Sequence, residues 1–341
     1  MNTHIAVAMS GGADSTAAAL ELSRRGYRIT GLTMLLHPDF DPGPAERAAG
    51  EIGVPLRMLD LRPSFQTAVV EPFCRAYASG KTPNPCILCN RSIKFGIFWE
   101  HARGLGAGAM ATGHHVRTVK VGGVWCLRRA EDDAKDQSYA LFALTAEQRS
   151  HTLFPMGEIT KPEARERLRN AGVSAADEGE SQDICFIPGG NYSAFLERRG
   201  SHRPPGRIRH VDGRLLGEHG GIHRFTVGQR RGIGVPADRP LYVIRLDPSS
   251  DEVIVGPREA LGIRSFEVRD WNWHLPASER AADVLVQTRH RQAPAPARLL
   301  ERRGRMLIRW EGEPRGVTPG QAAVAYRGDV LAGGGWITGP A

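Results

Sequence analysis

A doubly wound α/β domain with a parallel sheet, followed by two smaller, mainly β domains of which the last is barrel-like, is predicted by three features of the 341-residue sequence. Short apolar strands alternate with helix-length segments through the N-terminal half. A glycine turn joins the first strand to the first helix, the opening of an α/β unit. Beyond about Tyr192 the chain changes to short β-prone stretches punctuated by turns such as Asp212-Gly213, Gly220-Gly221, Pro319-Gly320 and Gly333 to Gly335.

Taken in order, His4 to Met9 reads as a buried strand, Ser10 to Ser15 as the turn, and Thr16 to Arg25 as a helix with its apolar residues on one face. Tyr27 to Leu36 and Pro55 to Leu61 read as strands, Ala45 to Gly50 and Phe65 to Tyr77 as helices. Ile93 to Arg103 is a further helix and Gly108 to Gly113 a further strand. Strands separated by helices pair in parallel through right-handed crossovers, which puts the ligand site at the strand C-termini. The expected domains are 1–196, 197–262 and 263–341, with Ser, Pro and Gly concentrated between Gly200 and Pro205.

Composition narrows the function. No apolar run reaches the roughly 18 residues of a membrane span, and the N-terminus lacks the basic and apolar regions of a secretion signal, so a cytoplasmic protein is expected. Five cysteines (Cys74, Cys86, Cys89, Cys126, Cys185) are too few and too unevenly spaced for a disulfide framework. Cys74 and Cys126 lie in apolar elements and read as core fillers. Residues 201–341 hold 22 arginines against 15 acids, the footprint of a surface that meets nucleic acid or of a solvated face. Arg230-Arg231 and Arg302-Arg303 are generic phosphate candidates. The chain has 40 arginines but five lysines, Lys81, Lys94, Lys120, Lys135 and Lys161. A lysine kept in such a sequence is suspected of needing a compact, titratable ammonium.

The turn Ser10-Gly11-Gly12-Ala13-Asp14-Ser15 lies where backbone N–H groups and the helix dipole form an anion cradle. It matches neither the nucleoside-triphosphatase P-loop nor the dinucleotide fingerprint. Its S-G-G-x-D-S form resembles the pyrophosphate loop (PP-loop) of ATP-splitting enzymes that adenylylate an oxygen. Ser10 and Ser15 would donate to phosphate oxygens, and Asp14 would fix the loop or help to hold Mg2+.

A second constellation is Thr82 to Asn90, a proline-rich loop carrying Cys86 and Cys89 ahead of a helix, with Cys185 far along the chain. Placement near a helix N-terminus is expected to lower a thiol's pKa and make it nucleophilic. The bland alternative is a Cys3His zinc site completed by His114 or His115.

With these motifs together, the chain resembles the bacterial tRNA-specific 2-thiouridylase family. The likeness rests on Ala8-Met9 with Ser10 to Ser15, Thr82 to Phe95, Ala111 to His115, Lys135 to Tyr139 and Ser181 to Phe186. It continues in Phe225 to Gly232, Thr318 to Gln321 and Gly333 to Trp336. The resemblance implies a PP-loop ATP-pyrophosphatase domain followed by a small central β domain and a tRNA-binding β-barrel. It implies replacement of O2 of the wobble uridine by sulfur, with ATP and Mg2+ as cofactors. Ala8 to Ser15 with Met34 and Gly113 would hold ATP. Cys89, Cys185 and Cys86 would be catalytic, Cys185 carrying a persulfide that Cys89 either attacks to release sulfide or resolves as a disulfide. Asn84, Pro85 and residue 86 would frame the target base. His114, Lys135, Asp136, Gln137, Arg289, His290 and Gln321 would contact tRNA. The implied partners are tRNAs for Lys, Glu and Gln and a persulfide-donating carrier or cysteine desulfurase.

The chain departs from the family in two places. Cys86 occupies a position that is often an aspartate suited to proton transfer. With it, Cys86, Cys89 and Cys185 become alternative ligands for a [4Fe–4S] cluster whose open iron binds sulfide, so persulfide and cluster routes are both open. The segment Leu36 to Ala45 is also short, keeping Asp39 and Asp41. Two other functions compete: an amide ligase of the argininosuccinate or GMP synthetase kind, which has no use for Cys89 and Cys185, and a non-catalytic RNA-binding protein.

Overall fold

The computed structural model describes residues 3–179, 184–302 and 304–341. Five parallel strands form the first sheet: β1 (His4–Ala8), β2 (Arg28–Leu35), β3 (Leu56–Asp60), β4 (Ala109–Ala111) and, after a hairpin of β5 (Arg117–Val121) and β6 (Val124–Arg128), β7 (Thr152–Leu153). Their spatial order is β3-β2-β1-β4-β7. The order reverses between β1 and β4, so a crevice opens beyond the C-terminal ends of these two strands. Every residue of β1 is buried, as a strand covered on both faces requires. One apolar cluster, around Val7, Ala18, Leu22 and Leu168, lies on one face of the sheet, and a second, around Ala6, Phe95, Phe98 and Met110, lies on the other.

The helix after β1, α1, spans Ala13–Arg24 and so begins three residues before the expected Thr16. The second helix, α2 (Gly43–Glu51), begins within the short Leu36 to Ala45 segment. Residues Arg62–Ala78 form one helix in which Gln66–Val70 is π-helical. The residues from Pro85 to Gly104 also form one helix, longer than the expected Ile93 to Arg103, with a π-helical interior at Cys89–Ile97. π-Helical turns bond i to i+5 and recur at functional sites. Here Gln148 Nε2 donates to the carbonyls of Arg91 and Phe95 at 2.9 and 3.0 Å, satisfying groups that the wide turn leaves open. Gln148→Ala is expected to cost about 1–2 kcal/mol for the orphaned carbonyls, read as a lower denaturant midpoint at unchanged slope.

After the helix Tyr192–Arg198, a four-stranded sheet runs between Gly206 and Gly256. Six strands between Ser265 and Pro340 then close into a barrel, because Ser265–Trp273 pairs with both Arg305–Trp310 and Val330–Pro340. The β5–β6 hairpin of the first domain extends this barrel sheet, with Arg128 paired to Val330. No helix among the described residues is long and apolar enough to cross a membrane.

Candidate active site

The glycine turn sits in the crevice between β1 and β4. Ser10 N–H donates to Ser15 Oγ at 3.2 Å, Ser15 Oγ donates to Gly12 O at 3.0 Å, and Thr16 Oγ1 donates to the same carbonyl at 3.0 Å, which fixes the loop before any ligand arrives. Gly11 has φ +86° and lies against the backbone of Pro44 and Ala45, where a side chain has no room. The short Leu36 to Ala45 segment thus closes directly onto the loop. Gly113, just past β4, is as tightly placed: a Cβ there would stand 2.5 Å from Asp14 C and 2.6 Å from Ser15 N. Met34, near the end of β2, is half-buried.

Asp14 is the electrostatic centre of the crevice. Lys161 Nζ donates to its Oδ2 at 3.2 Å, and His115 Nε2 lies 3.3 Å from Oδ1, close but misaligned for a hydrogen bond. Burial raises the carboxyl's pKa, but His115 and Lys161 outweigh it and hold Asp14 below its ordinary value. Asp14 Oδ1 and both His115 ring nitrogens are buried without hydrogen-bond partners. Such atoms fit a site completed by a bound group, and a carboxylate beside phosphates is how Mg2+ is commonly held. Lys161, at the N-terminus of the helix Lys161–Asn170, was not assigned a role from the sequence. Its only signal there was the scarcity of lysine.

The thiols converge through an apolar cluster. Cys89, 6% exposed, packs with Phe65, Val69, Phe73 and Ile93. Phe186 and Ile187 enter the same cluster, and the Phe186 ring lies 5.4 Å from that of Phe73, which tethers the neighbouring Cys185 here. Ser181, Gln182 and Asp183 of this motif lie outside the described residues, as does Arg303. Cys86 is exposed, and Asn84 Oδ1 accepts from its backbone N–H at 3.1 Å, capping the helix start. Pro85 is buried.

The expectation of a lowered thiol fails for Cys89. Burial pushes it up to about 12, and nearby Cys185 and Cys86 add to the rise against the opposing charge of Lys94. The physical reason is that the cluster removes water from the sulfur more effectively than a helix start replaces it. Cys185 is solvent-exposed, but crowding by protein and the neighbouring Cys86 also raise its thiol. All five cysteines are free, and Cys74 and Cys126 are buried as core fillers. No three His, Cys, Asp or Glu side chains among the described residues are gathered closely enough to hold a metal ion.

Two expectations follow. Alkylation at pH 8, read by peptide mass spectrometry, should modify Cys86 well before Cys89; comparable rates would contradict this burial. Because the folded state keeps the Cys89 proton above the ordinary thiol value of 9.0, its contribution to stability is complete below pH 9 and is lost as the pH rises toward about 12.

The expected RNA contacts divide by environment. His114 Nδ1 lies 2.8 Å from Thr112 Oγ1, and burial, with Lys94 and His115 nearby, holds the ring well below its ordinary value and hence neutral at pH 7. Asp136 accepts from Ala130 N–H at 3.0 Å and from Ser138 Oγ at 2.6 Å, so its carboxylate is occupied in shaping its own loop. Gln137 Oε1 accepts from His115 N–H at 2.9 Å, and Lys135 N–H donates to Asp132 O at 3.0 Å. Arg289 Nη2 donates to Val227 O at 2.8 Å and to Thr318 Oγ1 at 2.6 Å, tying the two β domains together. Beside it a cleft of about 1180 Å³ is lined by Arg258, His290, Arg291 and Arg315. Arg230, Arg231 and Arg302 are exposed. Gln321 Nε2 donates to Thr82 O at 2.8 Å, and Thr82 N–H donates to Pro319 O at 2.9 Å. The barrel therefore grips the loop that leads into Asn84, Pro85 and Cys86.

Known proteins match this chain in sequence almost from end to end. A family model described as the tRNA methyl transferase HUP domain matches residues 3–189. Models described as the tRNA methyl transferase PRC-barrel domain and the aminomethyltransferase beta-barrel domain match 193–257 and 263–337. The tRNA-specific 2-thiouridylase MnmA of Syntrophotalea carbinolica is 44% identical, with 98% of this chain and 99% of that protein covered. Those of Trichlorobacter lovleyi and Solibacter usitatus are 41% and 43% identical, each over 98% of this chain and 97% and 98% of their own lengths. With all three segments matched in order and identity above 40% over nearly the whole chain, the protein belongs to the tRNA-specific 2-thiouridylase family.

Proposed function

We propose that this protein is a tRNA-uridine 2-sulfurtransferase that uses ATP to replace O2 of the wobble uridine by sulfur. The observation that carries the reading is the presence, in one first domain, of a preformed anion loop together with Cys89, buried in an apolar cluster, and Cys185, whose neighbours Phe186 and Ile187 enter that cluster from nearly a hundred residues along the chain. An amide ligase has use for the loop but none for the thiols, and an RNA-binding protein has use for neither. Oxide is a poor leaving group, so the uracil oxygen is first adenylylated and AMP becomes the group that departs. Ala8 to Ser15, Met34 and Gly113 bind ATP, with Asp14 placed to help hold Mg2+.

Sulfur then arrives as a persulfide on Cys185, whose exposure suits delivery by a carrier protein or a cysteine desulfurase. The terminal sulfur adds to C2, the C2–O bond breaks, and AMP leaves with the bonding pair. Cys89, as thiolate, attacks Cys185 Sγ, which leaves 2-thiouridine and a Cys89–Cys185 disulfide for a reductant to reset. Burial of Cys89 keeps it protonated until tRNA docks. Asn84, Pro85 and Cys86 frame the target base; an anticodon loop presents it unstacked. Cys86 lacks the acidity of the aspartate common in the family, so proton transfer is not assigned to it. His114, Lys135, Gln137, Arg289, His290 and Gln321 line the RNA path, with Asp136 shaping it, and the division 1–196, 197–262 and 263–341 separates chemistry from RNA binding. The tRNAs for Lys, Glu and Gln are the proposed substrates and the cytoplasm the place of action.

The test is mass spectrometry of nucleosides from tRNA incubated with the protein, Mg2+ and a persulfide donor. Wobble 2-thiouridine that forms only with ATP is expected; its absence under every condition would remove the assignment.

A further inference from the structure

Lys94 is one of five lysines in a chain with 40 arginines, and its place in the fold gives a reason for it. It lies in the π-helical Cys89–Ile97 segment, five residues after Cys89. Phe98 N–H donates to Ile93 O, the i to i+5 bond of that geometry. In an α-helix of 3.6 residues per turn, side chains five apart point about 140° away from each other. An i to i+5 turn brings them to one side. The wide turn therefore sets Lys94 on the same side of the helix as Cys89 rather than opposite it.

The segment is held in this form from outside by Gln148, and Asn90 Nδ2 adds a bond to Ala140 O at 3.0 Å. The next residue, Phe95, packs its ring 5.6 Å from that of His114, which follows Gly113 at the nucleotide crevice. Lys94 is half-buried, and among the described residues it has no carboxylate or hydrogen-bond partner. Its charge reaches Cys89, Cys185 and His114 alike. It thus stands between the sulfur side and the nucleotide side of the site.

We infer that Lys94 is a catalytic residue for the sulfur-addition step, its ammonium neutralising the negative charge that builds on the uracil adduct and the departing phosphate. This rests on the thiolation reading above. As the persulfide sulfur forms its bond to C2, the π-electrons move onto the ring; when the C2–O bond breaks, they return and AMP carries away the C–O pair. Lys94 keeps its proton throughout and acts by charge, which is worth most in a site shielded from water. An arginine fork would fill the same space less compactly, consistent with a lysine surviving here.

Single-turnover thiolation by protein loaded with persulfide on Cys185 tests this, with tRNA binding and tRNA-dependent ATP–pyrophosphate exchange measured alongside. Lys94→Gln and Lys94→Met are expected to slow thiolation about 10²- to 10³-fold, with exchange and tRNA affinity within about threefold of the parent. Lys94→Arg is expected to recover a tenfold or larger share of the loss. Thiolation by both neutral variants within about threefold of the parent would overturn the inference. So would a loss matched by weaker tRNA binding or by a fall in exchange. A parent protein that gives exchange but no thiolation under any condition overturns the functional reading and the inference with it.

Discussion

Cys185→Ser is expected to abolish thiolation while leaving tRNA-dependent ATP–pyrophosphate exchange within about twofold of the parent. The proposed adenylylation site lies at the ends of β1 and β4, whereas the segment of Cys185 is anchored through Phe186 and Ile187 into the cluster that holds Cys89. Removing a nucleophile that forms a covalent intermediate leaves no alternative route, so product should fall below detection rather than merely slow. Cys89→Ser should fail at a later stage, with persulfide still loaded on Cys185 and sulfur retained as an adduct between enzyme and tRNA. Intact-protein mass spectrometry separates the two variants. Thiolation by Cys185→Ser at the parent rate would remove Cys185 as the carrier of the transferred sulfur.

Gly113→Ala is the second large effect. The added methyl would stand 2.5 Å from Asp14 C and 2.6 Å from Ser15 N, and both neighbours are backbone atoms of the turn proposed to cradle phosphate. A flexible side chain could move aside, but backbone fixed by three hydrogen bonds has to shift as a unit. Forced overpacking of this kind costs about 1–3 kcal/mol, so ATP should bind about 10- to 100-fold more weakly. Calorimetric titration with ATP measures the loss, and tRNA binding by filter retention should stay unchanged. Equal loss of tRNA affinity would mean that the methyl disturbs the domain as a whole.

The parallel sheet and its turn were legible because they rest on local rules: Ile5 to Met9 is an unbroken apolar run, two glycines follow after Ser10, and a helix begins at once. The β5–β6 hairpin was not. Its strands carry Arg117, Lys120 and Arg128, and their partner is a barrel strand some 200 residues later, so no local pattern announces them. The thiol motifs were legible as residues but not as environments. Cys86 and Cys89 are three apart, yet one is exposed and the other buried, because the helix turns Cys89 toward Phe65 and Phe73. That difference decides the sign of the pKa shift, and spacing does not contain it. Asp136 shows the same limit: its motif suggested a contact with RNA, and spacing did not reveal that both carboxylate oxygens accept hydrogen bonds within its own loop. The π-helical turn at Cys89–Ile97 depends on carbonyl partners supplied by Gln148, which lies far away in sequence.

The most direct test of the account is nucleoside mass spectrometry of tRNA after incubation with ATP, Mg2+, a persulfide donor and anaerobically purified, iron-free protein, repeated after iron–sulfur reconstitution. Sulfur transfer through Cys185 and Cys89 predicts wobble 2-thiouridine from the iron-free protein, with no gain on reconstitution. Thiolation only after reconstitution would contradict it and make Cys86, Cys89 and Cys185 the ligands of a [4Fe–4S] cluster.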